Sequence, residues 1–524
     1  MRNNSIILFL FMVAISCNAQ TVFQRTFGDS LDEYAFSCIQ TADKGFLLAG
    51  FSNSYAGTDN DYFLVKTDSL AHIQWNKRLR GLLKDEAYSV QQTSEGGFII
   101  AGYTKSFGSQ YYDALLIKTN ANGDTLWSKT YGAAGSEYAN SIIQTRDGGY
   151  IFAGYTIGNA IDTAYGSMFL VKTDSSGNIK WEKALGPSSQ YTDAYSILQT
   201  SDAGYVVTGY TNGFGEMNGD VFFVKTDSSG NPLFSKTYGY KGSDWGNSIR
   251  QTTDGGFIIG GSYGTDSTGT DEDAYILKTD ANGDTLWTRR FGGTGFDYGQ
   301  SVIQSSDGGY VLAGYTSSFG NGNYDVFIIK YNSSGDTVFA RTFGSFGNEQ
   351  ANCIFQTSDG GYVLAGQSNS FGSGGYDMYF IKTDTNGNSS CFQTDVHTAK
   401  NNPTSSVTNV VMKQDTVTTT QLSVAPIILG STSQLDACTT VGIHENASEK
   451  ELKIFPNPNS GKFTIATEKT TGTVIVTSLL GEKIYETKVT GFTTVEIPGI
   501  IPGVYIVQFY SGGRIHNRKI LVNK

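Results

Sequence analysis

The chain has 524 residues, 39% hydrophobic and only 16% charged, with 64 glycines, 8 prolines and a formal net charge of −11. That length holds two or more domains, and the acidic balance excludes a phosphate-neutralising surface for nucleic acid. With 31 tyrosines and 32 phenylalanines beside so many glycines, the composition points to short strands and tight turns, not to helices or disorder.

Residues 1–19 read as a signal peptide. Arg2 supplies the positive start, Ile6–Ile15 is an apolar run too short to span a bilayer, and Ala19 is a small residue before a cut that leaves Gln20 first. The rival is a lipoprotein cut before Cys17, whose preceding Ala14, Ile15 and Ser16 lack the leucine usual there. No later segment has the roughly 18 uncharged apolar residues of a transmembrane helix.

Residues 20–392 repeat one sentence seven times. Aligned on the glutamine before each Gly-rich turn, the copies fall at Gln40, Gln92, Gln144, Gln199, Gln251, Gln304 and Gln356, spaced 52, 52, 55, 52, 53 and 52 residues. Seventeen or eighteen residues upstream stand Phe23, Trp75, Trp127, Trp181, Phe234, Trp287 and Phe339. Each copy reads as four strands. In the sixth, "QSVIQS" is strand a, "GYVLAGYT" b, "DVFIIKYN" c and "TVFARTFG" d. Asp-Gly and Gly-Gly pairs between a and b are strong hairpin signals, and "NSSGD" between c and d is Asx-plus-Gly turn chemistry. Four-stranded units of this length are blades of a β-propeller, whereas solenoid coils are shorter and need polar caps. The seventh copy lacks strand d, while the mature chain opens on "TVFQRTFG", which matches "TVFARTFG" at seven of eight positions. The expectation is therefore an all-β, seven-bladed propeller whose last blade is completed by the N-terminal strand.

No catalytic constellation, metal site or cofactor motif emerges. Strand c begins with Asp61, Asp113, Asp220, Asp273, Asp325 and Asp377 (Ser167 in the third copy). Each is followed five residues later by Lys66, Lys118, Lys225, Lys278, Lys330 and Lys382, with Lys172 in the third. Features copied on every blade read as scaffold, the alternative being a carboxylate ring for cations or a sugar. "DANGD" (280–284) and "NANGD" (120–124) resemble the start of a calcium loop but lack its sixth-position glycine and distal glutamate. The histidines, His72, His397, His444 and His516, are scattered.

Of the four cysteines after the signal peptide, Cys391–Cys438 is the expected disulfide, tying the region after blade seven to the end of the linker. Cys38 and Cys353 face each other across the junction that closes the ring, and two buried free thiols are the favoured reading over a bond. For ligand binding, the variable b–c and d–a loops emerge on one face and carry aromatics near glycines: Tyr55, Phe107, Phe214, Tyr263, Phe319 and Phe371. Such rings suit sugars or protein side chains. The alternative is that they plug gaps between blades.

Residues 393–449 form a Thr/Ser-rich linker with one or two strands. The tail, 450–524, has alternating strands of a small β-sandwich. Its "IFPNPNSGKFTI" (Pro456, Asn457, Pro458), "GVYIVQF" (Gly503, Tyr505) and closing "RKILVNK" (Lys519, Lys524) closely resemble the C-terminal type A sorting domain of the type IX secretion system. The resemblance implies a Gram-negative cell, Sec export, passage through the outer membrane by the type IX machinery, and removal of the tail with release or surface attachment. The propeller half is also similar to repeat propellers carried as cargo by such proteins. The combined expectation is a secreted or cell-surface binding or adhesion module for an extracellular glycan or protein. The alternatives are a propeller lyase or hydrolase acting on extracellular polysaccharide, or a structural surface-layer component.

Overall fold

The computed structural model describes residues 20–396 apart from the loop segments 55–58, 133–134, 158–165, 188–189, 216–217, 240, 266–268 and 270. It also describes short strand backbones within 406–436, and 452–522 apart from 456–460, 479–482, 499, 501–502 and 512–513. Residues 1–19, read from the sequence as a signal peptide, lie outside this set. The chain divides into two compact units, 1–435 and 436–524.

In the first unit, seven antiparallel sheets follow one another in chain order, each with strands a to d side by side. The first blade is Glu33–Gln40, Phe46–Ser52, Asp61–Thr67 and Ile73–Arg80. The seventh has Glu349–Gln356, Tyr362–Ser368 and Asp377–Lys382, and takes its fourth strand from Phe23–Gly28, paired from Phe23 opposite Lys382 to Phe27 opposite Met378. Phe23 and Phe27 enter the core shared by blades seven and one.

The repeat's signature residues are the joints of this ring. The side-chain oxygen of each glutamine accepts a hydrogen bond from the a–b turn backbone of the preceding blade: Ala42 N–H to Gln92 at 2.8 Å, Ser94 to Gln144 at 2.8 Å, and so on through Ser306 to Gln356 at 2.8 Å. The seventh, Ser358 N–H to Gln40 at 3.1 Å, spans the closing junction. The d-strand aromatic lies on the c–d turn glycine of the next blade. A Cβ on Gly123, at φ +76°, would sit 2.8 Å from the Trp75 ring. Only glycine combines that left-handed backbone with room for the indole.

All seven strand-c lysines form ion pairs with the carboxylate of their own blade's a–b turn, as in Lys66–Asp43 at 2.8 Å and Lys382–Asp359 at 3.0 Å. The strand-c aspartates accept from nearby loops, as Asp325 does from the Asn321 and Gly322 N–H groups at 2.9 Å. In the c–d turns, the Asp280 carboxylate is occupied by the backbone N–H groups of Asn282 and Asp284 at 2.9 and 2.8 Å. These are Asx turns.

The structure corrects the reading of Cys38 and Cys353 as thiols: they form a disulfide, with Cα atoms 6.3 Å apart. At other junctions a serine Oγ on one strand a accepts the N–H of a Val or Ile on the next, as with Ser37 and Val90 at 3.2 Å, Ser89 and Ile142 at 3.2 Å, and Ser248 and Val302 at 3.3 Å. Cys353 stands at the serine position of blade seven and Cys38 at the Val/Ile position of blade one. The geometry that serves a hydrogen bond elsewhere brings two Sγ atoms together here. Cys391 is also disulfide-bonded; Cys438 lies outside the described residues.

The segment after blade seven is more than a linker with one or two strands. Six short strands leave it to pair with outer edges in turn: Gln393–Asp395 on blade six, Ser406–Asn409 on four, Lys413–Asp415 on three, Thr420–Ser423 on two, Ile427–Leu429 on one and Ser433–Asp436 on seven. Outer strands present unpaired backbone groups that invite aggregation, and the belt covers them. Among the described residues blade five has its own four strands, ending on the outer strand Thr285–Phe291.

In the second unit, Leu452–Phe455, Lys462–Ser478, Lys483–Glu496, Gly503–Ser511 and Arg514–Val522 form one antiparallel system. The long strand Lys462–Ser478 breaks register with Lys483–Glu496 between Ala466 and Thr471. Phe463, Ile465 and Val495 from one side of the break share a core with Val474, Val507 and Ile520 from the other. Tyr505 is in that core and Gly503 and Lys519 lie on strands, while Pro456, Asn457, Pro458 and Lys524 fall outside the described residues.

Candidate functional site

In every blade the pairing of strands a and b skips one residue, and the skipped residues are Phe36, Tyr88, Asn140, Tyr195, Asn247, Gln300 and Asn352. A β-bulge leaves its extra residue unpaired and re-aims the side chain. Here all seven aim into the central channel of the ring. The bulge also explains the glycine of strand b: a Cβ on Gly50 would lie 1.7 Å from the Tyr34 carbonyl oxygen.

The bulge residues form a waist between two cavities. Towards the b–c and d–a loops opens a mouth of about 680 Å³, whose lining includes Tyr34, Phe36, Tyr138, Tyr155, Asp193 and Tyr315. Towards the a–b turns lies a second chamber of about 630 Å³. Tyr88, Asn140, Tyr195, Asn247, Gln300 and Asn352 line both.

Around the mouth, aromatic rings follow one another without a gap from blade seven to blade five. Tyr376 meets Tyr34 at 5.2 Å, Phe36 stacks on Tyr88 at 4.7 Å, Tyr103 meets Tyr138 at 4.9 Å and Tyr138 stacks on Tyr155 at 5.2 Å. The series continues through Tyr191 and Tyr210 to Trp245, which stacks on Tyr210 at 4.2 Å. Burial pushes the Tyr155 and Tyr315 phenols up to about 12, so both stay protonated donors at neutral pH. Amides alternate with the rings. Asn140, Asn247 and Asn352 each donate to a backbone carbonyl of the next blade, at 2.9, 2.9 and 2.8 Å.

Two carboxylates break the repeat here: Asp193, which lines the mouth, and Glu86, which is bonded to the lining Tyr88. Glu86 accepts from Asn60 Nδ2 at 2.5 Å and Tyr88 OH at 3.0 Å and pairs with Lys84 at 2.8 Å. Asp193 accepts from Tyr191 OH at 3.0 Å and Asn140 Nδ2 at 3.1 Å, and burial pushes its carboxyl up to about 7.

Burial likewise raises Asp273 and Asp377 to about 7 and Asp325 to about 6. For such a group the unfolded chain loses its proton first, so stability is fullest below pH ~4 and is lost as pH rises through the folded value. The turn carboxylates act oppositely. Lys225 and Thr200 hold Asp202 down at about 2, so its contribution is present above pH ~4 and lost as pH falls towards 2. The melting temperature should therefore decline on both sides of a mildly acidic maximum. Asp193→Asn should flatten the fall between pH 5 and 8 by on the order of 1–4 kcal/mol. A fall of unchanged steepness in the variant counts against this assignment.

The aromatics expected from the loop pattern sit elsewhere. Phe214 packs against the core of blades three and four, and Phe319 meets Phe291 at 5.3 Å between blades five and six. Tyr263 is buried against Tyr275, Phe371 is buried between Tyr379 and Phe392, and Phe107 is half-buried. Tyr55 lies outside the described residues. None of the five described rings lines the channel: loop aromatics fold back between blades, whereas the channel wall is strand a. The bulge residues carried a signal in the sequence as the one variable position between an Ala or Gly and the following Ser or Cys of each strand a.

Comparison with known proteins adds three findings. Regulatory protein FlaEY of Caulobacter vibrioides is 25% identical over 199 residues, covering 33% of this chain and 20% of its own length. PorZ, a surface component of the type IX secretion system of Porphyromonas gingivalis, aligns with 94% of this chain and 59% of its own at 11% identity and a TM-score of 0.38. Sqt1 of Chaetomium thermophilum aligns with 65% of this chain and 81% of its own at 11% identity and a TM-score of 0.41. Residues 453–523 match the family described as the secretion system C-terminal sorting domain. The second unit is therefore a type IX secretion sorting domain, and the chain that carries it is a secreted or cell-surface β-propeller protein.

Proposed function

We propose that the propeller is a binding module that takes an extracellular glycan at the mouth of its central channel. The supporting observation is the aromatic series from Tyr376 to Trp245 around a concave mouth, interleaved with Asn140, Asn247 and Asn352 and with the carboxylate Asp193. Pyranose faces stack on such rings, and amides and carboxylates receive the ring hydroxyls. The mouth is where the repeat varies, as a specificity surface requires. The sorting domain delivers the module to where such polymers are met, handled by the type IX machinery.

The test is a glycan array and a polysaccharide panel presented to residues 20–449, scored for both retention and turnover. Phe36→Ala and Tyr195→Ala should each weaken retention about three- to tenfold, from roughly 0.5–1.5 kcal/mol per stacked ring. Leu233→Ala, an exposed position on an outer strand, should leave it unchanged. Retention of a protein ligand with no glycan overturns the glycan assignment. Turnover of a polysaccharide that Asp193→Asn abolishes would instead favour the enzyme reading, for which the raised Asp193 carboxyl is the supporting feature.

A further inference from the structure

The chamber beyond the waist holds a charge that the repeat does not explain. Its wall is built from the seven inner strands, and of all the side chains that line it only Arg250 is ionic. The residue just before the glutamine is Ile39, Gln91, Ile143, Leu198, Ile303 and Phe355 in the other six blades. Blade five alone places a guanidinium among these mostly apolar neighbours.

Arg250 reaches the lumen and is exposed to it, yet the ring encloses it on every side. Its Nη1 donates to the Ile249 carbonyl at 2.8 Å. Among the described residues no carboxylate forms an ion pair with it. Every strand-c lysine is paired, and Arg290 is paired with Asp273 at 2.8 Å. One of the five donors of this planar fork is used by the Ile249 carbonyl, and most of the others remain for an incoming group.

We propose that the chamber on the a–b turn side of the channel binds a single carboxylate carried on an apolar stem, held by the Arg250 guanidinium with the stem against Ile143, Leu198 and Phe355. A planar guanidinium matches a planar carboxylate through two parallel N–H···O bonds. Between the polar side chains of the wall, Ile39, Ile143, Leu198 and Phe355 offer apolar contact for a chain or ring, and no second cation lines the chamber, which selects a monoanion over a phosphate or a polyanion. The serine hydroxyls of the wall accept inter-blade N–H groups, so the fork is the one charged anchoring point in the lining. The site is separate from the glycan mouth and does not depend on it. A fatty acid and the C-terminus of an apolar peptide share this chemistry.

Two probe arms distinguish these sources. Thermal shift and calorimetry of the chain from Gln20 to Lys524 would use acetate, butyrate and hexanoate in one arm and acetyl-Leu-Leu in the other, each against its neutral amide. The free acids should raise the melting temperature in order of stem length, or the peptide acid should do so alone, and the amides should bind at least tenfold more weakly. Arg250→Ile installs the residue that blades one and three carry, so it should fold, melt no lower than the parent and lose carboxylate binding at least tenfold. Arg250→Lys should retain part of it. Absence of a shift in both arms overturns the proposal, as does equal binding of acids and amides or undiminished binding by a folded Arg250→Ile protein.

Discussion

A protein that begins at Asp29 in place of Gln20 is expected to lose most of its folding stability. Strand Phe23–Gly28 is the outer member of blade seven's own four strands and pairs along the whole of Asp377–Lys382. Phe23 and Phe27 are 7% and 0% exposed in the core that joins blade seven to blade one. The buried Gln24 accepts from Tyr379 OH and donates to the Cys391 carbonyl. Removing a buried phenylalanine side chain costs about 3–5 kcal/mol, against a typical domain stability of about 5–15 kcal/mol. Loss of both rings leaves little, and the bared edge of Asp377–Lys382 invites aggregation. Phe27→Ala, a milder change, should cost about 3–5 kcal/mol by denaturant unfolding and keep the fold. A truncated protein that melts with the full mature chain would show that the ring does not depend on this strand.

The second large effect belongs to the closing disulfide. Cys38 and Cys353 are 315 residues apart in sequence, so the bond closes nearly the whole ring into one loop. In the chain-entropy account a loop of that size is worth about 5–6 kcal/mol. The informative variant pairs Cys353→Ser with Cys38→Val, which installs at the closing junction the residues of the Ser37–Val90 junction. It should fold with a hydrogen bond where the covalent bond was and unfold at a markedly lower denaturant midpoint. Each single change should cost nearly as much as the pair, because either one removes the whole bond. An unchanged midpoint for the double variant would mean that the belt and the N-terminal strand alone hold the ring shut. The oxidised pair also suits a protein exported from the reducing cytosol.

Much of this molecule was legible because its physics is local and repeated seven times. Asp-Gly turns, alternating strands and a period near 52 residues specify one blade, and a repeated blade specifies a ring once the missing strand d is matched by residues 21–28. The scaffold role of the strand-c Asp and Lys residues followed from the same logic. The tail was legible through its own motifs, because "IFPNPNSGKFTI" and "GVYIVQF" identify a sorting domain without any knowledge of its packing.

Other features depend on which strands become neighbours, and no local pattern encodes that. The six belt strands of 393–436 are three or four residues long, too short to register as strands until an existing blade edge offers its unpaired backbone groups. The loop aromatics looked like ligand platforms, but the closed ring leaves gaps between blades, and filling those gaps buries more apolar surface than exposure to solvent would. The bond between Cys38 and Cys353 required the register of two strands far apart in sequence to fall within disulfide reach. The candidate site shows the division most clearly. Its seven residues stand at an ordinary strand position whose side chain, in an unbroken ladder, would alternate with its neighbours. The sequence by itself determined the blade, the ring and the destination. The bulge that turns Tyr88, Asn140 and Tyr195 into the channel, and the chamber that gathers Arg250 with the inner strands of the other blades, were decided only by the tertiary structure, because both arise from backbone pairing and from seven strands converging on one axis.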